Sequence, residues 1–198
     1  MSDVKKAYRL LKRALASRKA VQRVRRRLAE REPHQPEHYQ VAVYFADGDV
    51  NMYQMRQWYR PLAELSKRWP VVVLSRSATG ADKLLDEDGP PVAFVPTIRD
   101  LERFISSQDI RVVLYVNQNT RNFQMFRYGR RWHVFINHGE SDKMYMTTNQ
   151  YKAYDYALVA GQAARDRLSR TLWDWDIDRR TIETVSYTHL TLPTILLV

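Results

Sequence analysis

The sequence predicts an α/β protein in which a parallel sheet is covered by helices on both faces. Two observations carry that prediction. Short runs rich in Val, Ile and aromatic residues recur between residues 41 and 159. Stretches of helical length separate them, as crossovers between parallel strands require. A third observation adds an appendage: all the excess charge lies in one segment at the N-terminus, ahead of the first strand.

Residues 3–31 predict one long helix. Val4, Ala7, Tyr8, Leu11, Ala14, Leu15, Val21, Val24 and Leu28 keep roughly i, i+3/i+4 spacing, the signature of an apolar face. Lys5, Lys6, Lys12, Arg13, Arg18, Lys19 and the cluster Arg25, Arg26, Arg27 fill most of the remaining surface. Residues 1–31 hold twelve Lys and Arg against only Asp3 and Glu30, which accounts for the whole net charge of +10. Residues 32–198 are neutral, which argues against a generally basic nucleic-acid-binding domain. A basic amphipathic helix suits an anionic membrane surface, where each nearby Lys or Arg contributes about 1 kcal/mol. On that reading Lys5, Lys12, Arg13, Lys19, Arg25, Arg26 and Arg27 bind membrane. A solvated helix packed on the domain body and a nucleic-acid contact are the alternatives. Pro33 and Pro36 end the helix, and residues 32–40 read as a linker in which His34 and His38 are solvated.

The body, residues 41–183, alternates. Strands are expected at 41–46, 71–75, 92–95, 111–116, 132–136 and 156–159, and helices at 52–68, 78–86, 98–106, 119–126, 144–153 and 162–172. Right-handed crossovers between such units make a doubly wound, Rossmann-like sheet. No Gly-x-Gly-x-x-Gly or Walker-type loop follows any strand, so no self-sufficient dinucleotide or nucleoside-triphosphate site is expected. Residues 185–198 contain no charge and look like translated adaptor sequence rather than native protein, so residues 184–198, His189 included, are set aside; a final strand is the alternative.

The 198 residues, 44% hydrophobic and 12% aromatic, suit one substantial globular domain plus an appendage. The absence of cysteine excludes a disulfide framework and thiolate metal sites and fits a reducing compartment. No run is long enough to span a bilayer and no signal-peptide core is present, so a cytoplasmic location is expected, open to a membrane surface.

Loops at the carboxyl ends of parallel strands are where ligands bind. Three are rich in hydrogen-bonding side chains: 47–51 after the first strand, with Asp47 and Asn51; 117–120 after the fourth, with Gln118 and Asn119; and 137–143 after the fifth, with His138, Gly139 and Lys143. This composition suits a polyol- or phosphate-binding cleft. His138 is the one histidine at a strand end; an imidazole titrates near neutrality and can take a hydroxyl proton as general base. Lys143 can attract a phosphate as a point charge. A turn histidine bonded to backbone is the structural alternative. Asp47 and Asp49 offer a divalent ion too few ligands, and a turn with a helix cap accounts for them. No metal site is expected. Asp174, Asp176 and Asp178 read as a solvated edge or helix end.

The order YFADGDVNMYQMRQWYRPLAEL, VNQNTRNFQMFRY and INHGESDKMYMTTNQYKAYDYALVAGQAARDRL resembles bacterial CDP-glycerol glycerophosphotransferases, the teichoic-acid primases and polymerases, over residues 39–183. The resemblance implies the N-terminal lobe of a GT-B-type, two-lobed transferase. Such an enzyme moves glycerol phosphate from CDP-glycerol to a hydroxyl on a lipid-linked acceptor, needs no metal or other cofactor, and sits peripherally on the inner face of the cell membrane. The family's His-Gly motif and following lysine map onto His138, Gly139 and Lys143, and imply that His138 deprotonates the acceptor hydroxyl. Here the motif reads Asn137-His138-Gly139-Glu140-Ser141, where the better-known polymerases have Trp-His-Gly-Thr-Pro. The resemblance also implies a nucleotide-binding C-terminal lobe beyond these residues, without which the chain is expected to be inactive. Two further functions fit the same residues: a GT-B lobe using a nucleotide sugar, and a non-catalytic module binding membrane or nucleic acid through its basic helix.

Overall fold

The computed structural model describes residues 3–31, 38–139 and 148–184, which form two compact units, 1–110 and 111–198. In the first unit, helix α1 (Asp3–Ala29) precedes strand β1 (Val41–Phe45), a 3-10 turn (Asp49–Asn51) and helices α2 (Met52–Arg56) and α3 (Tyr59–Ser66). Strand β2 (Val71–Ser75), helix α4 (Ala78–Leu84), strand β3 (Val92–Phe94) and helix α5 (Ile98–Ser107) complete it. The second unit holds β4 (Val112–Tyr115), a 3-10 turn (Thr120–Asn122), α6 (Phe123–Phe126), β5 (Trp132–Phe135) and a 3-10 turn (Asn149–Ala153). Strand β6 (Tyr156–Val159), α7 (Gln162–Thr171), α8 (Ile177–Arg180) and β7 (Thr181–Glu183) follow.

The seven strands are all parallel, in the order β3-β2-β1-β4-β5-β6-β7, and helices flank them. This is the doubly wound, Rossmann-like arrangement that the alternating pattern predicts. In the first unit Val41 pairs with Val71 and Val73 with Val92; in the second Val112 pairs with Trp132 and Val134 with Tyr156. Every residue of β1 and β2 is buried. Such burial on both faces requires the continuous apolar runs seen in the sequence.

Local chemistry sets the helix starts. Thr97 and Asp100 form a reciprocal capping box at the start of α5, which buries Leu101 and Ile105. Ser77 caps α4 by accepting the Gly80 N–H. Gly80 is required for another reason: a Cβ there would lie 2.4 Å from the Asp47 carbonyl oxygen. Helix α4 therefore sits close against the loop that follows β1.

Helix α1 docks on the first unit through its C-terminal part. Val24 is fully buried with Ala81 and Leu85, and Leu28, Ala78, Val92 and Phe94 pack around them. Arg27 reaches Asp82 and Asp86, both at 2.7 Å, and Arg23 pairs with Asp82. Hydrogen bonding to Asp82 and then Asp86 raises the Arg27 pKa, and the Asp86 carboxyl is lowered chiefly by its bond to Arg27. The described side chains between residues 5 and 19 are all exposed.

Several expected boundaries move. The helix expected over 52–68 breaks at Gln57 and Trp58 into α2 and α3, and the one over 119–126 opens as a 3-10 turn. Of the expected helix 144–153, residues 148–153 are described and 149–153 form a 3-10 turn; residues 144–147 lie outside the described residues, as do linker residues 32–37 and the tail 185–198. Strand β7 and helix α8 were not legible. Three residues with a half-exposed Ile182 carry too little apolar pattern to signal an edge strand.

Candidate active-site loops

In the second unit, β4 and β5 deliver two adjacent loops. Past the end of β5, Asn137 adopts φ 62° and Gly139 φ 125°, so His138 sits between two residues in the left-handed half of backbone space. Asparagine tolerates that region better than most residues, and glycine enters it without a Cβ penalty. The Asn137 Oδ1 accepts the His138 backbone N–H at 2.8 Å, which closes the turn.

The His138 ring is half-buried, with Nδ1 2.7 Å from the carbonyl oxygen of Val116, the residue that follows β4. A carbonyl can only accept, so Nδ1 carries the proton and Nε2 is the basic nitrogen of the neutral ring. The alternative of a turn histidine bonded to backbone is thus what the geometry shows: a backbone bond selects the tautomer and fixes the ring.

Two residues beyond Val116, the Gln118 Oε1 accepts from the Thr148 hydroxyl at 2.9 Å. Its Nε2 is buried with no hydrogen-bond partner among the described residues. A buried unmade donor costs about 1–3 kcal/mol. Asn119 uses its Oδ1 to accept the Arg121 N–H, and its backbone carbonyl accepts from Gln150 Nε2 at 3.1 Å.

Beneath these loops a polar pair was missed by sequence reasoning. Asn122 Nδ2 donates to the Asn117 carbonyl at 2.7 Å and to the Tyr154 hydroxyl at 3.0 Å. Gln150 Nε2 donates to the same hydroxyl at 3.3 Å. Burial pushes the Tyr154 phenol up to about 12, with the bonds from Asn122 and Gln150 opposing it. The Tyr154 ring stacks on Phe135 with centroids 5.1 Å apart and meets Phe126 and Tyr115 at similar distances. The signal available was Tyr151 and Tyr154 close to the strand-end loops; both are buried core residues.

His133 lies inside β5, as expected, and serves the core. Its Nδ1 accepts from the Tyr115 hydroxyl at 2.7 Å, and burial lowers its pKa.

The loop after β1 belongs to the first unit. Asp47 and Asn51 are half-buried there, and Asp49 is exposed at the start of the 3-10 turn. Gly48, not an aspartate, occupies the N-cap position, without a side-chain bond. The expected turn is made, with no aspartate at its N-cap position. Among the described residues no group of three His, Cys, Asp or Glu could hold a metal. Asp176 caps α8 by accepting the Arg179 N–H, and Asp178 pairs with Arg165, so the Asp174–Asp178 alternation marks a helix start. Gly139 is described, and a Cβ there would meet nothing within 4 Å. Lys143 lies outside the described residues. The structure thus brings His138, Gln118 and Asn119 to adjacent loops of one unit, and Asp47 and Asn51 to a loop of the other.

No family model matches the chain, and no curated protein matches it.

Proposed function

We propose that this chain is the acceptor-side lobe of a glycerophosphotransferase, moving glycerol phosphate from CDP-glycerol to a hydroxyl of a lipid-linked, teichoic-acid-like acceptor at the inner face of the cell membrane. The single observation that supports it most is the bond from His138 Nδ1 to the Val116 carbonyl, which leaves Nε2 as the basic nitrogen at the end of β5. In this reading Nε2 takes the acceptor hydroxyl proton. The acceptor oxygen forms its bond to the donor's β-phosphorus, the phosphoanhydride bond to CMP breaks, and CMP leaves. Gln118 Nε2 would hold an acceptor oxygen. Lys143 and a second, nucleotide-binding lobe would meet the phosphoryl charge, since a charged transition state needs donors as well as a base.

The test is transfer by the full-length protein from CDP-glycerol to a polyol-phosphate acceptor. His138→Ala should abolish turnover while the far-ultraviolet and thermal signatures of the fold stay unchanged; near-normal turnover would sink the reading. Use of a UDP-sugar with CDP-glycerol inert would instead assign a nucleotide-sugar transferase.

A further inference from the structure

Helix α1 carries two differently used surfaces. Val24 and Leu28 bury against the first unit. On a helical projection, Tyr8, Leu11 and Leu15 lie within an arc of about 60°, roughly 150° round from Val24 and Leu28. They are therefore no extension of the docked face, and they are 66%, 60% and 49% exposed. Lys5, Lys12 and Lys19 recur every seven residues and form a second stripe about 70° from the apolar one. Residues 4–29 contain no Asp or Glu.

We infer that residues 5–19 of α1 are a lipid-contacting arm, with Tyr8, Leu11 and Leu15 seated among the acyl chains of an anionic bilayer and Lys5, Lys12 and Lys19 reaching its headgroups. Charge and pattern select this occupant. A nucleic acid would use the lysines but leave the apolar stripe in water. A second copy of the arm would bury the stripe while bringing two rows of lysine together. An anionic bilayer takes both, because long basic side chains extend to the headgroups from beside an embedded apolar face. Arg27 is excluded from the arm by its bonds to Asp82 and Asp86. Together with Arg23 and Val24 it forms the anchor that ties the arm to the first unit. The inference deepens the membrane location proposed above, and it is tested without any transfer reaction, so either can fail alone.

The measurement is co-sedimentation of the 198-residue chain with vesicles of phosphatidylcholine and 30% phosphatidylglycerol, beside pure phosphatidylcholine and a single-stranded RNA. Binding should require the anionic lipid. Replacing Leu11 and Leu15 by Glu should abolish it. Neutralising Lys5, Lys12 and Lys19 as Gln should weaken it at least tenfold, at about fivefold per charge. The Arg25→Gln, Arg26→Gln pair should change it far less. All substituted side chains are exposed, so thermal unfolding should be unaffected. A Tyr8→Trp reporter should shift its emission to the blue on anionic vesicles. Tighter binding to RNA than to vesicles, self-association abolished by the Leu11 and Leu15 changes, or vesicle binding indifferent to them would each overturn the inference.

Discussion

The Nδ1 of His138 lies 2.7 Å from the carbonyl oxygen of Val116, so the backbone after one strand chooses which nitrogen of a histidine after the next strand is basic. In a general base, that choice separates a ring poised to accept a proton from one holding it on the wrong side. On the proposed transferase reading, His138→Ala in the full-length protein should reduce turnover to near background, a fall in kcat of about 10²–10⁴-fold, the usual worth of general base catalysis. Steady-state kinetics at saturating acceptor provide the check.

The turn that carries His138 depends on Asn137 at φ 62°. Asn137→Val places a β-branched residue in the left-handed region and should cost about 1–3 kcal/mol. Asn137→Gly should be better tolerated, although it loses the Oδ1 bond to the His138 N–H. Urea unfolding of the pair reads the difference; equal stabilities would show that the backbone relaxes out of this conformation.

Gly80 meets the Asp47 carbonyl at a distance no Cβ can occupy. Gly80→Ala must push α4 away from the loop after β1 and should destabilise by about 1–3 kcal/mol, as overpacking does. Stability unchanged in chemical denaturation would mean that the loop moves freely.

Asp82 receives both Arg23 and Arg27. Asp82→Ala should loosen the docked end of α1 and raise amide hydrogen exchange across residues 20–29, leaving β1 and β2 protected. Unchanged exchange would assign the docking to Val24 and its apolar neighbours alone.

Burial lowers the pKa of His133, so the folded state resists its protonation. The stability this contributes is complete above the unfolded value of about 6.5 and is lost as pH falls through the folded value. Unfolding free energy measured from pH 7.5 to 5 should therefore decline, and His133→Gln should flatten that decline. The shifted carboxyls Asp86, Glu87 and Asp100 are all lowered and act at more acidic pH, below the window assigned to His133.

Much of the candidate site was legible because its residues sit at the ends of strands whose apolar runs are unmistakable. Val134 to Ile136 marks a buried strand, and the first polar residues after it had to fall in a strand-end loop. The same logic found Gln118 and Asn119 after β4. Asn122, Gln150 and Tyr154 were not found, because nothing in their spacing says that two 3-10 turns far apart in the chain meet at one hydroxyl. The Val116 carbonyl was invisible too, since every residue has one.

The sequence alone determined the class of fold, the strand and helix alternation, the concentration of positive charge in the first 31 residues and the candidacy of His138. These follow from periodicity, composition and position along the chain, which are local properties. Tertiary structure alone decided the tautomer of His138, the donor left buried on Gln118 and the use of Arg27 as an anchor. It also decided which apolar residues of α1 meet the protein and which meet solvent. Each of those depends on what lies across a gap in the chain: 22 residues for the pair His138 and Val116, and 55 and 59 for Arg27 with Asp82 and Asp86. Hydrogen bonding and burial are set by neighbours in space, and periodicity along the chain carries no record of them.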